Sequence, residues 1–140
     1  MRMSEGVTRV VLDTNVLISA LLKPGSVPDR LIRAIARPRA IALYDVRIAT
    51  EYREVLSRPK FKAIPPERVA ELLARVLGSG EDLGTVPAWD GAMTDDSDRI
   101  FVEVALAGRA EVLVTGNLRD YPSGLGFEVQ PPATLLAALE

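Results

Sequence analysis

The sequence predicts an α/β fold, in which a central, mainly parallel sheet of about five strands carries helices on both faces. Two observations lead to this prediction. Short apolar runs alternate along the chain with segments of helical periodicity. The first run, 7–12, is rich in β-branched residues, as expected of a parallel strand buried on both faces. There is no repeat, linker or low-complexity segment, so residues 1–140 are predicted to form a single domain.

Proline and glycine delimit most of the predicted elements. Lys23-Pro24-Gly25 ends the first helix, Pro28 and Pro38 bound the second, and Gly78 closes the fourth. The strands are predicted at 7–12, 40–44, 81–86, 111–114 and 127–129, the last of them at a sheet edge. The helices are predicted at 15–22, 28–38, 47–57, 65–78, 99–107 and 131–139.

The composition restricts the chemistry open to this chain. There is no cysteine, which excludes disulfides, thiolate metal sites and a thiol nucleophile. There is no histidine, which excludes the usual general base, a Ser-His-Asp triad and imidazole ligands. The motifs G-x-x-x-x-G-K-[ST] and G-x-G-x-x-G are also absent. Any catalysis must therefore depend on carboxylates, hydroxyls, amides, lysine or arginine.

Charge is distributed unevenly along the chain, whose net charge is −2. Residues 23–62 contain ten basic and four acidic residues, whereas 63–140 contain five basic and thirteen acidic ones. This asymmetry predicts a basic surface beside an acidic one, the alternative being two solvated helix faces of opposite sign.

No apolar run approaches the roughly 18–20 residues that span a bilayer. Because segment 1–6 also lacks the apolar core of a signal peptide, we expect a cytoplasmic protein with no membrane partner.

The first functional candidate is Asp13, which follows the first strand directly. Thr14 and Asn15 come next and are typical of a helix start, so Asp13 is predicted at the carboxyl end of a central strand. Open α/β sheets bind ligands at that edge. The alternative is that Asp13 only caps the helix that follows.

Helical phase distinguishes two glutamates of the third helix. At 100° per residue from Ile48, Glu51 lies at about −60°, on the margin of the apolar stripe, and Glu54 at about −120°, outside it. Glu51 is therefore predicted to face the interior margin, where a carboxylate needs a cation or hydrogen bonds. The alternative is that Glu51 forms an ion pair with Arg47 or Arg58.

Polar residues also flank the fifth helix and the fourth strand. Asp98 lies three residues before Phe101, in phase with the buried stripe of the helix. Asp95 and Asp96 are explained by the favourable field at a helix N-terminus. Thr115, Gly116 and Asn117 end the fourth strand, and Asp120 follows three residues later.

Three carboxylates, Asp13, Glu51 and Asp98, are thus predicted to converge at one edge of the sheet. The negative charges of three such carboxylates repel one another unless a cation neutralises them. Without histidine or cysteine, the matching ions are Mg²⁺ or Mn²⁺, which bind oxygen. The chemistry that such a site serves best is phosphodiester hydrolysis.

Four segments in this order resemble the PIN-domain family, and most closely the bacterial PIN toxins of toxin–antitoxin pairs. They are VLDTNVL from residue 11, IATEYREVLSRPKF from residue 48, DDSDRIF from residue 95 and LVTGN from residue 113. The resemblance implies a metal-dependent ribonuclease with a three-layer α/β/α fold and an acidic site at Asp13, Glu51 and Asp98. It also implies an RNA substrate, a small antitoxin partner and a homodimer or higher homo-oligomer. Asn15 and Thr115 match supporting polar positions.

The chain departs from this family at Asn117, where many PIN domains have a fourth acid. We therefore expect one tightly bound Mg²⁺ or Mn²⁺ and a weaker second ion, with Asp120 as an additional carboxylate. Asp13 and Asp98 are expected to ligate the metal, and Glu51 to bind it directly or through water and to orient the attacking water. The residues expected to hold RNA phosphates are Arg47, Arg53, Arg58 and Lys60.

Two other functions are compatible with the sequence. Asn117 motivates a PIN-like RNA-binding module with weak or no catalysis. An Asp13 nucleophile would make the protein a phosphatase. Haloacid-dehalogenase-like enzymes have a second aspartate two residues later, and here Asn15 occupies that place.

Overall fold

The computed structural model describes residues 6–140; residues 1–5, where the sequence predicts no signal-peptide core, lie outside the described part of the chain. Five strands form one sheet in the order β3-β2-β1-β4-β5. Every pair of neighbouring strands is parallel, which confirms the predicted sheet. The strands are β1 Thr8–Leu12, β2 Ala40–Tyr44, β3 Glu81–Asp82, β4 Val112–Val114 and β5 Glu128–Gln130.

Six α-helices lie within the described residues and give the molecule three α/β/α layers, as predicted. Helix α2 packs against α1 and α6, while α5 packs against β1, β2 and β4. Parallel strands need such crossover helices, because consecutive strands run in the same direction. The helices are α1 Thr14–Leu22, α2 Val27–Ala34, α3 Val46–Leu56, α4 Pro66–Gly78, α5 Arg99–Ala107 and α6 Pro132–Leu139.

Strand β1 is the centre of the sheet and the core. Val10, Val11 and Leu12 have no exposed surface, because β2 and β4 flank the strand and helices cover the sheet. The unbroken apolar run of the sequence reflects this double burial. Since neither face of β1 meets water, its polar residues are confined to its ends.

The carboxyl ends of β1, β2 and β4 meet at one edge of the sheet. Asp13 follows β1, Asp45 follows β2 and Thr115 follows β4. Leu12 is in register with Val114, and the Asp13 N–H donates to the Val114 carbonyl at 2.9 Å. This register places Asp13 and Thr115 side by side.

Three local features differ from the sequence-based expectation. The second helix, predicted over 28–38, ends at Ala34, and the N–H of its C-cap Ile35 donates to the Leu31 and Ile32 carbonyls. The third strand, predicted over 81–86, stops after Asp82, because the Asp82 side chain accepts from the Gly84 N–H at 2.9 Å and Gly84 turns the chain with φ of +72°. A short 3₁₀ turn, Asp96–Asp98, precedes α5, so Asp98 lies at the junction of two helical segments. Within residues 6–140, no helix has the length and apolarity that crossing a membrane requires.

Candidate metal centre

Asp13 is held by hydrogen bonds to both of its carboxylate oxygens. It is 6% exposed, and its Oδ1 accepts from the Asn15 N–H at 3.3 Å as the N-cap of α1. Its Oδ2 accepts from Thr115 Oγ1 at 2.9 Å, from the Tyr121 hydroxyl at 2.9 Å and from Asn15 Nδ2 at 3.3 Å. Both interpretations of the sequence therefore apply, because Asp13 caps a helix and also lies at the carboxyl edge of the sheet.

Asn15 and Thr115 join the turn after β1 to the loop after β4. Asn15 Oδ1 accepts from the Gly116 N–H at 3.0 Å, and its Nδ2 also reaches Thr115 Oγ1 at 3.4 Å. Thr115 has no exposed surface, and its Oγ1 accepts from the Asn117 N–H at 3.0 Å. These hydrogen bonds fix the ends of β1 and β4 next to each other around Asp13.

Glu51 reaches the same region from α3. It is half-buried, and its Oε2 accepts from Thr14 Oγ1 at 2.5 Å. The neighbouring Tyr52 is buried and donates to the Leu12 carbonyl at 2.6 Å, which anchors α3 next to Asp13. Within the described residues no arginine or lysine forms an ion pair with Glu51, so the alternative pairing is not found. Glu54 is exposed, as its helical phase predicts.

Asp98 is half-buried at the start of α5, and its environment opposes ionisation. Burial raises the pKa of Asp98 to about 7, and the negative charges of Asp13, Asp95, Glu51 and Asp120 contribute to this shift. These acids are therefore close enough to interact electrostatically. Because no ion pair of the described chain involves Asp13, Glu51 or Asp98, their charge is not neutralised by the protein.

The tyrosines beside the cluster are kept neutral. Burial, followed by the charges of Asp13 and Asp98 and the hydrogen bond to Asp13, raises the pKa of Tyr121 far above its usual value. Burial also raises the pKa of Tyr52, with smaller effects of Asp13 and Glu51. Both phenols are thus hydrogen-bond donors over the whole physiological pH range.

The cluster fits a hard divalent cation in charge and in donor type. All of its donors are oxygen atoms, which Mg²⁺ and Mn²⁺ prefer. In the part of the chain that the structure describes, no three acidic side chains lie close enough together to hold one ion directly. Mg²⁺ usually keeps several waters and binds one or two carboxylates. An ion bound here would therefore take one or two of these carboxylates as direct ligands and reach the others through water.

Asn117 and Asp120 follow β4 in the loop that also carries Thr115. Asn117 is exposed and makes a main-chain hydrogen bond to Thr115 Oγ1. Asp120 is half-buried and is one of the charges that raise the pKa of Asp98. A fourth carboxylate therefore approaches the cluster from Asp120 rather than from position 117.

The PIN domain family model matches residues 9–119, which is well over half of the chain and includes Asp13, Glu51 and Asp98. The chain belongs to the PIN domain family. PIN domains are generally metal-dependent nucleases, and membership of this family points to a nuclease-type function. No curated protein matches the chain significantly.

The basic residues of α3 and of the turn that follows it in this PIN domain have two kinds of environment. Arg47 is engaged by Asp45 at 2.8 Å and by Glu103 at 2.6 Å. Arg53 and Arg58 are exposed, and Lys60 is exposed with its Nζ 5.2 Å from the centroid of the Phe61 ring. Glu51 also lines a surface groove, together with Arg47, Thr50, Glu54, Arg58 and Ile100.

Three residues near the centre were not identified from the sequence. Asp45 follows β2 as Asp13 follows β1, so the same strand-end signal marks it, but it is paired with Arg47. Glu103 is buried in α5 and accepts from Arg47 and from the Trp89 N–H. No local pattern marks Tyr121, because its partner Asp13 is 108 residues away in the sequence.

Proposed function

We propose that this PIN domain is a Mg²⁺- or Mn²⁺-dependent endoribonuclease that hydrolyses RNA phosphodiester bonds. One observation carries the proposal: Asp13, Glu51 and Asp98 come from β1, α3 and the start of α5, interact electrostatically and lack a protein cation within the described residues. Such a site attracts a divalent cation, and a divalent cation attracts a phosphate.

Each side chain has a proposed role. Asp13 and Asp98 would hold the ion, and Glu51 would reach it directly or through water and orient the attacking water. When bound, the ion supplies Lewis-acid polarisation of the phosphate and favours water as a nucleophile at neutral pH. Arg53, Arg58 and Lys60, which are exposed, would hold RNA phosphates without base specificity.

A second candidate is an RNA-binding module with weak or no catalysis. Two observations favour it over an ordinary enzyme. Asn117 is an amide where many PIN domains have an acid, and no three acids of residues 6–140 are close enough to ligate one ion directly. The nuclease would cleave RNA only when the divalent ion is present. The binding module would bind RNA and cleave it weakly or not at all.

The deciding experiment measures cleavage of a labelled RNA pool by the purified protein in Mn²⁺, Mg²⁺ and EDTA. Asp13→Asn, Asp98→Asn and Glu51→Gln should each reduce the rate at least about 100-fold, because each removes a charge that the ion needs. Glu67→Gln is the control for Glu51→Gln, since Glu67 is an exposed glutamate of α4 outside the groove that Glu51 lines, and its rate should remain within about twofold of wild type.

Cleavage that is equal in wild type and in all three site variants would reject the nuclease proposal. RNA binding without metal-dependent cleavage would favour the binding module.

We further propose that the protein is the toxin of a toxin–antitoxin pair with a small antitoxin partner, which the four-segment resemblance supports. Induced expression of wild type in bacteria should then arrest growth and Asp13→Asn should not; equal growth of both cultures would contradict this role.

A further inference from the structure

We propose that Tyr121 is a positioning residue, whose hydroxyl occupies one oxygen of Asp13 so that the other oxygen, Oδ1, is presented to the metal ion. This inference rests on the proposed metal-dependent function and adds a residue to it. Tyr121 lies beyond residues 9–119, the span that the PIN domain family model matches.

The hydrogen bonds of Asp13 are distributed unequally between its two oxygens. Oδ2 accepts from three side-chain donors, namely Thr115 Oγ1, the Tyr121 hydroxyl and Asn15 Nδ2. Oδ1 accepts only a long main-chain bond of 3.3 Å from Asn15 within the described chain. A carboxylate oxygen offers two lone pairs, so three donors saturate Oδ2. Oδ1 therefore retains the capacity to bind a cation.

The position of Tyr121 excludes direct contact with a substrate as its main role. The residue is 8% exposed and follows the 3₁₀ turn Leu118–Asp120. Its hydroxyl donates to Asp13 Oδ2 at 2.9 Å in a buried hydrogen bond. Tyr121 consequently acts on the reaction through Asp13.

Such a bond affects metal binding because a free carboxylate rotates about its Cβ–Cγ bond. Thr115 and Tyr121, which both follow β4, and Asn15 donate to Oδ2 and hold the carboxylate plane in one orientation. Hydrogen-bond partners of metal-binding side chains typically change metal affinity or activity 10–100-fold when they are removed. We expect Tyr121 to belong to this class of residues.

The test compares Tyr121→Phe with wild type and with the matched control Tyr44→Phe. Tyr44 loses a hydroxyl in the same way, but that hydroxyl donates to the Leu77 carbonyl at 3.0 Å and does not contact Asp13. Calorimetric titration with Mn²⁺ should give a dissociation constant about tenfold higher for Tyr121→Phe and within about twofold of wild type for Tyr44→Phe. At fixed Mn²⁺, kcat should fall about tenfold while KM for RNA changes less than twofold.

The outcomes separate this inference from the function on which it rests. If wild type binds no Mn²⁺ and cleaves no RNA, the proposed function fails and the inference fails with it. If wild type binds the ion and cleaves RNA, but Tyr121→Phe has the same Mn²⁺ affinity and kcat, only the inference is overturned and Tyr121 is a packing residue.

A second measurement needs no substitution. In wild-type protein the Tyr121 hydroxyl proton, held by a carboxylate and buried, should give a slowly exchanging NMR signal, whose assignment does not depend on activity. Saturation with diamagnetic Mg²⁺ should leave that signal in place, because the ion binds Oδ1. Disappearance of the signal on Mg²⁺ binding would mean that the ion displaces the tyrosine from Oδ2, and would overturn the proposal.

Discussion

At the scale of single residues, the cluster of Asp13, Glu51 and Asp98 concentrates negative charge that no protein cation of the described residues pairs with. Asp98 shows this most clearly, because burial and then Asp13, Asp95, Glu51 and Asp120 raise its pKa to about 7. The folded chain therefore favours the protonated acid at this position. Without a bound cation, ionisation of Asp98 at neutral pH opposes folding.

We predict that the metal-free protein becomes less stable as pH rises from about 4 to about 7. The folded pKa of Asp98 lies above the unfolded value of 3.8, so within this window the folded state holds more protons than the unfolded state, and stability falls with increasing pH. Asp98→Asn should remove this dependence and stabilise the metal-free protein by about 1 kcal/mol at pH 8, after allowance for solvent screening.

Urea denaturation in EDTA at pH 5 and pH 8 measures this effect. The chain contains no histidine, so few other side chains titrate between these two values. Asp90→Asn, at an exposed aspartate, serves as the control and should keep the wild-type pH dependence. An unchanged pH dependence in Asp98→Asn would contradict the prediction.

At the scale of secondary-structure elements, an ion network joins the end of β2 to α3 and α5. Arg47 bridges Asp45 and Glu103, whose side chains are only 3% and 6% exposed. Burial alone would raise the pKa of Glu103, but hydrogen bonds from Arg47 and the Trp89 N–H lower it below its usual value. Glu103 therefore stays ionised and also holds the loop around Trp89. Arg99 reinforces this loop, since its guanidinium lies 5.5 Å from the Trp89 ring centroid.

We predict that Arg47→Met destabilises the protein by about 2 kcal/mol, because it leaves two buried carboxylates without their cation. The figure lies below that for a fully buried pair, since the Arg47 side chain is 40% exposed. Arg53→Met is the matched control on the same helix, and at this exposed position the change should stay within about 0.5 kcal/mol. Urea denaturation at pH 7 measures both values, and equal stabilities of the two variants would show that the network is not needed for folding. Contact of Arg47 with RNA phosphate stays a prediction.

At the scale of the whole molecule, the parallel sheet brings together residues that are distant in sequence. Strand order β3-β2-β1-β4-β5 places β1 between β2, residues 40–44, and β4, residues 112–114. The carboxyl ends of β1 and β4 consequently meet, while α3 contributes Glu51 and the start of α5 contributes Asp98. The acidic centre is thus a consequence of topology, as in other open α/β sheets.

We predict that the protein is a homodimer in solution, as the resemblance to PIN toxins implies. Sedimentation velocity should then give a mass of twice the 15.2 kDa of one chain. Among residues 6–140, the exposed large apolar side chains are Leu22, Val46 and Leu118, which are 59%, 70% and 43% exposed. A species of 15.2 kDa at all concentrations tested would contradict the dimer.

Much of the fold follows from local sequence patterns. The apolar run before Asp13, the prolines and glycines between elements, and the helical phase of Glu51 and Glu54 reflect interactions within a few residues of the chain. These patterns correctly predicted the parallel sheet, its alternation with helices, the position of Asp13 at the end of β1 and the exposure of Glu54. The length of β3 was wrong, because the turn at Asp82 and Gly84 is a side-chain capping effect that periodicity does not show.

The sequence by itself determined the α/β class, the absence of histidine and thiol chemistry and the choice of Asp13, Glu51 and Asp98 as candidates. Only the tertiary structure decided how these acids are surrounded. It bound Tyr121 to Asp13 across 108 residues, and it gave Arg47 two carboxylate partners. Such contacts depend on how strands and helices pack, and a linear pattern of residue types carries no information about the distance between atoms that are far apart in the chain.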